Sequence, residues 1–123
     1  MKKTTTLAIL LIAIIVLSAC SAGSPQTGNT GIVLEDGLAR TVKLEKPAAR
    51  IVSLSPSVTE ILFAVGAGQQ VVGRDSFSSY PPEAASIQDV GGSMGSYSYE
   101  VIASLEPDLV IASGINTPEQ VSA

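Results

Sequence analysis

The stretch Ser53–Gly68, SLSPSVTEILFAVGAG, closes an apolar run, passes through Ser-Pro-Ser, and reaches two glycines after one helix-like segment. Ser57-Val58-Thr59-Glu60 has the capping-box pattern, in which Ser57 accepts from the backbone N–H of Glu60 and Glu60 reaches back to the N–H of Ser57. Pro56 is placed to staple onto Ile61, and Val58, Ile61, Leu62 and Val65 recur at helical spacing. Gly66 and Gly68 supply the stop. The run that enters this stretch, Arg50–Leu54, is short and mostly apolar, as a buried parallel strand is. Strand, capped turn and helix in that order is the beginning of a βαβ unit, and it decides the fold.

Outward from this unit the same alternation continues. Gln70–Gly73 is a second short strand, and Arg74–Pro82 (RDSFSSYPP) is a loop closed by two prolines. Val90–Tyr97 is rich in glycine and serine; Ser98 then caps a helix over Tyr99–Leu105, which Pro107 terminates from outside. Asp108–Ala112 is a third buried strand, followed by Ser113-Gly114. Upstream, Gly31–Leu44 holds two strand-like runs around Glu35-Asp36-Gly37, the pattern of a β-hairpin. The expected fold class is α/β: a parallel sheet with helices on both faces, preceded by that hairpin. Thr117-Pro118-Glu119-Gln120 is a further helix start with only Val121, Ser122 and Ala123 after it. A helix that short is rarely stable, so residues 31–123 read as the N-terminal part of a longer protein.

The first residues are a targeting signal. Lys2 and Lys3 precede an apolar run from Leu7 to Leu17, too short to span a bilayer but suited to a signal peptide. Leu17-Ser18-Ala19-Cys20 resembles the lipobox of bacterial lipoproteins, which implies a signal peptide over 1–19 and lipidation of Cys20. Ser21–Thr30 is uncharged and rich in Ser, Gly and Thr, as a flexible linker is. The expected location is extracytoplasmic, tethered to the membrane by the lipid. Removing the leader takes away two lysines and leaves a body more acidic than the −4 of the whole chain.

Composition narrows the chemistry. The chain has no His, and its 7 Lys and Arg are scattered. A histidine-built zinc or haem centre is excluded, and there is no footprint for nucleic acid. No general-base histidine, G-x-S-x-G elbow or P-loop is present, so no catalytic residue, cofactor or metal ligand is assigned and the chain is not expected to be an enzyme. Ligands of open parallel sheets bind outside the carboxyl ends of the strands. The loops leaving those ends are Ser55-Pro56-Ser57, Arg74–Pro82 and Ser113-Gly114, with the Gly91–Tyr97 loop near the same rim. Phe77, Tyr80 and Tyr97 fall in or beside them, whereas Phe63, inside a helix, reads as core. Rings beside small residues suit a large, flat or amphipathic ligand.

With these residues in place, the chain resembles the N-terminal lobe of the bacterial substrate-binding proteins that deliver ferric siderophores, vitamin B12 or haem to ABC importers, and most of all the vitamin B12 binders. DGLARTVKL, RIVSLSPSVTEILFAVGAG, VVGRDSFSSYPPEA and YEVIASLEPDLVIA, between Asp36 and Ser113, carry the likeness in the family's order and spacing. The resemblance implies two α/β lobes joined by a long helix, with a metal-chelate ligand (siderophore, corrinoid or haem) held between them. It implies ligand contacts from Ser55, Pro56, Ser57 and Phe77, with Tyr80 alongside. It also implies that Glu100 docks onto arginines of the ABC-importer permease, whereas Glu60 is engaged in its capping box. Phe77 stands where the B12 binders have an aromatic residue with a hydroxyl, and Ser93-Met94 where they have a Trp, so the ligand is expected to differ. Two other readings are a small cell-surface lipoprotein that acts only as an interaction module, and an extracytoplasmic hydrolase using a loop serine.

Overall fold

The computed structural model describes residues 31–92 and 96–122. The leader, Cys20, the linker and Ser93-Met94 lie outside the described residues. A hairpin comes first, with β1 (Ile32–Glu35) antiparallel to β2 (Thr41–Leu44). Its turn is organised by Asp36, whose Oδ1 accepts from the backbone N–H groups of Leu38 and Arg40, both at 2.9 Å, as an Asx turn does.

The main sheet is wholly parallel. β3 (Ile51–Ser53) lies at its centre between β4 (Val71–Arg74) and β6 (Leu109–Ile111), and β5 (Gln88–Asp89) pairs with the outer side of β4. Successive residues of a strand point to opposite faces, and β3 uses both. Ile51 joins Leu62 and Val71 on one face; Val52 joins Leu54 and Val90 on the other. Helix α1 (Pro56–Ala64) covers the first face through Leu62, and α2 (Tyr99–Ser104) lies over the second, with Val101 and Ile102 packed on that cluster. A last short helix, α3 (Pro118–Ser122), follows β6. Its start has the expected reciprocal cap: Thr117 N donates to Gln120 Oε1 at 2.8 Å and Gln120 N to Thr117 Oγ1 at 3.3 Å.

Two expectations are corrected. The N-cap of α1 is Ser55, not Ser57: Ser55 is extended (φ −161°, ψ 154°), and its Oγ accepts from Val58 N at 3.4 Å. Proline explains the shift, because its fixed φ and missing N–H suit the first helical position. Pro56 therefore sits inside the helix rather than ahead of its cap, and the cap moves back to the residue before it. Ser57 then lies within the first turn, no box forms with Glu60, and Ile61 is 61% exposed rather than stapled. The helix does stop as expected at Gly66 (φ +83°), where Ala67 N reaches back to Leu62 O at 2.7 Å. The second correction is β5. Two polar residues in a stretch without alternation give no strand signal, and pairing to β4 alone makes them one.

Carboxyls fasten the sheet at both ends. Asp108 Oδ2 accepts from Ala49 N and Arg50 N at the amino ends of β3 and β6. Asp89 accepts from Gly91 N at 2.7 Å, Ser76 Oγ at 2.9 Å and Arg74 Nη1 at 3.0 Å beyond the carboxyl end of β5. These backbone donors hold both carboxyls below their ordinary pKa, as the Arg40 N–H does for Asp36. A carboxyl whose folded pKa is depressed contributes stability that is present above its unfolded pKa and lost as pH falls through the folded one. With no histidine in the chain, the melting temperature is expected to be flat from about pH 5.5 to 7.5 and to fall below about pH 4. Circular-dichroism melting across that range tests this, with Asp108→Asn expected to shrink the acid limb.

Candidate functional site

Because every strand of the main sheet runs the same way, the segments leaving β3, β4, β5 and β6 emerge along one edge. Two polar networks, one on each face, fasten them together there.

The first network lies on the α1 side and is buried. Ser53 shares the Ile51 face of β3 and meets Thr59 from the first turns of α1. Thr59 Oγ1 lies 2.9 Å from Ser53 Oγ and 2.8 Å from Ser78 Oγ. Ser78 Oγ donates to the Asp75 carboxyl, whose other oxygen accepts from Phe77 N at 3.0 Å. Asp75 N donates to Ser53 O at 3.0 Å. Ser53, Thr59, Asp75 and Ser78 are each 3% exposed or less. A buried polar group left without a partner costs about 1–3 kcal/mol, so this chain of contacts fixes the 75–81 loop against the β3 exit.

The second network lies on the α2 side. Tyr97 OH donates to Leu54 O at 2.8 Å and accepts from Asn116 Nδ2 at 2.7 Å. Asn116 Oδ1 accepts from Ser113 N at 2.8 Å, shaping the loop after β6. Burial raises the pKa of the Tyr97 phenol.

The residues expected at the site fall on this edge, but in different roles. Ser55 is 1% exposed, and its hydroxyl faces Val58 N and Ser57 Oγ, so it shapes the turn from within. Pro56 is half-buried at the first turn of α1, and Ser57 beside it is exposed. Phe77 and Tyr80, on the loop leaving β4, are 63% and 65% exposed. The Asp75 network ties their loop to the Ser55–Ser57 turn, so these residues share one rim. Glu100 stands apart from them in the first turn of α2, exposed, with Ser98 Oγ 3.4 Å from its carboxylate. Glu60, without a capping box, is exposed on α1.

Sequence reasoning did not single out Thr59, Asp75, Ser78 or Asn116 for the site. Thr59 and Ser78 are separated by 19 residues, as are Tyr97 and Asn116. No short spacing marks such pairs. The available signal was an Asp with serines beside it in a loop at a strand's carboxyl end, in Arg74-Asp75-Ser76-Phe77-Ser78.

Two cavities among the described residues, of about 650 Å³ and about 390 Å³, flank β6, and the first also takes in Ser113, Gly114 and Asn116 of the loop leaving it. They are lined by Arg40, Val110, Ala112 and Val121 in common, between the hairpin, α2 and α3. The described residues contain no cluster of His, Cys, Asp and Glu arranged to hold a metal ion. No described helix is long and apolar enough to cross a membrane.

Comparison with known proteins agrees with this architecture. An ABC transporter substrate-binding lipoprotein of Bacillus subtilis, YvrC, is 34% identical over 119 residues, which are 90% of this chain and 37% of the relative. The vitamin B12-binding protein BtuF of Vibrio cholerae superposes with a TM-score of 0.58 at 39% identity, over 62% of this chain and 30% of its own. The haem-binding protein RhuT of Roseiflexus sp. RS-1 gives 0.55 at 43% identity, over 61% and 29%. The chain thus spans roughly a third of the length of these relatives. The family model of the periplasmic binding proteins matches residues 51–119, from the first residue of β3 into α3, and the chain belongs to that family.

Proposed function

We propose that this chain is the N-terminal lobe of the extracytoplasmic, lipid-anchored substrate-binding component of an ABC importer, which captures a metal-chelate ligand and passes it to the membrane permease. The observation that carries this reading is the shared rim: exposed Phe77 and Tyr80 stand on a loop bound through Asp75 and Thr59 to the turn that presents Pro56 and Ser57. Rings and backbone on a rigid edge form one jaw for a broad ligand, and a second lobe supplies the other. Relatives named for vitamin B12 and haem point to a flat macrocyclic chelate. Binding and release need no bond-breaking chemistry, so the rim acts by shape. The sequence Leu17-Ser18-Ala19-Cys20 and a relative named as a lipoprotein support the anchor at Cys20.

Absorbance titration of the intact protein with cyanocobalamin, haemin and a ferric hydroxamate siderophore tests the reading. Saturable binding of one of them is expected, and Phe77→Ala is expected to weaken it by about tenfold, or about 1.4 kcal/mol of lost stacking. No saturable binding of any of the three contradicts the reading.

For Glu100, the proposed role is docking on a permease guanidinium. An exposed carboxylate in the first turn of a helix is free to take a bidentate arginine. Glu100→Ala is expected to leave affinity within about twofold and to reduce uptake by reconstituted transporter at least about tenfold, since a charge-assisted pair is worth about 1.5–3 kcal/mol. Unchanged uptake contradicts the role.

A further inference from the structure

We propose that Tyr97 is a positioning residue for the ligand rim, its hydroxyl bridging Leu54 O and Asn116 Nδ2 so that the Gly91-Gly92 and Ser96-Tyr97 stem and the 113–117 loop are held as one unit against β3. This rests on the rim being the ligand site, but the coupling itself is a property of the fold and is measured separately.

The geometry converges on one oxygen. Tyr97 closes the base of its own loop through its pairing with Gly91, while Gly92 N donates to Ser96 O at 2.7 Å. Its ring lies against Gly92, where an added Cβ would stand 2.5 Å from Tyr97 Cε1. The ring also packs on the cluster of Val52, Leu54 and Val90. The side chain is thereby directed, and the hydroxyl is delivered to the carbonyl leaving β3. The same oxygen then accepts from Asn116, 19 residues downstream. In the 113–117 loop, Ser113 N to Asn116 Oδ1 and Asn116 N to Ser113 O close on themselves at 2.8 and 2.9 Å. Of the bonds Asn116 makes, the one to Tyr97 leaves the loop. Gly91 O in turn accepts from Ser76 N at 2.8 Å, which joins the 75–81 loop to the same unit. Phenylalanine at 97 keeps the ring packing and loses both hydroxyl bonds at once.

Hydrogen exchange in the intact protein tests the coupling. Tyr97→Phe and Asn116→Leu are each expected to speed exchange about tenfold, the opening of a bond worth about 1–1.5 kcal/mol, in peptides covering both 90–98 and 112–118. The double variant is expected to fall short of the sum of the two single effects, because they share the Tyr97–Asn116 bond. Acceleration confined to the mutated loop, or additive effects, overturns the proposal. A second readout is the titration of the phenol itself, which loss of the bond moves upward and loss of burial moves downward. Asn116 donates to the phenol oxygen and favours the phenolate, so Asn116→Leu is expected to move one tyrosine's ultraviolet titration upward; an unmoved curve overturns the proposal. For the rim, Tyr97→Phe is expected to weaken whichever of cyanocobalamin, haemin or siderophore the wild type binds about tenfold, and undiminished affinity overturns the positioning role. A wild type that binds none of them removes the rim reading and with it that role, while the exchange arm still decides the coupling.

Discussion

Asp75→Ala is expected to lower the melting temperature on the order of 15 °C, corresponding to about 3 kcal/mol in a domain of this size. The alanine takes the acceptor from Ser78 Oγ and from Phe77 N together. Ser78 is 1% exposed, so its hydroxyl has no water to turn to. Thr59 and Ser53, next along the chain of contacts, lose their fixed partner arrangement in turn. Asparagine is the informative contrast. Its carbonyl still accepts from Phe77 N and its amide meets Ser78 Oγ, so Asp75→Asn is expected to cost about 1 kcal/mol or less. Thermal melting of the two variants side by side is the check. An alanine variant that melts within about 2 °C of wild type would show that the network does not hold the 75–81 loop.

Gly73 is the other sensitive point. It lies in β4, buried, where an added Cβ would come within 2.8 Å of Leu105 Cδ1, 2.9 Å of Val90 Cγ1 and 3.1 Å of Val52 Cγ2. Two of those neighbours are β-branched valines with little rotamer freedom, so the strain passes into the sheet and α2 rather than into a flexible side chain. Gly73→Ala is expected to cost about 2 kcal/mol and Gly73→Val about 3 kcal/mol. Val90→Ala opens space at the same place. Combined with Gly73→Ala it is expected to cost at least about 0.5 kcal/mol less than the two separately, by chemical denaturation. Strict additivity would mean that the contact is relieved elsewhere.

The relation of sequence to structure follows the range of the forces involved. β3, α1 and the stop at Gly66 were legible because apolar runs, proline and glycine act within a few residues of themselves. Choosing Ser57 over Ser55 as the cap was an error at that same short range, since two serines flank Pro56 and only the backbone requirement of proline separates them. β5 was hidden because Gln88 and Asp89 become a strand solely by pairing with β4. The rim loops were legible from the rule that parallel sheets bind at their carboxyl edge. What holds the rim was not. Thr59 sits on a helix with nothing to distinguish it from a solvent-facing residue, and its partner Ser78 is brought to it only by the parallel return of β4. Tyr97 stood out as an aromatic beside the rim loops, but its task depends on Leu54 and Asn116 meeting at its hydroxyl.

If the carboxyl edge of the sheet is the ligand-facing jaw, a hydrogen-exchange footprint of the intact protein, with and without saturating haemin, cyanocobalamin or ferric siderophore, will find it there. Ligand-dependent protection is expected in peptides spanning 55–58 and 75–81. Protection instead at the opposite end of the strands, around 46–50 and 106–108, would contradict it.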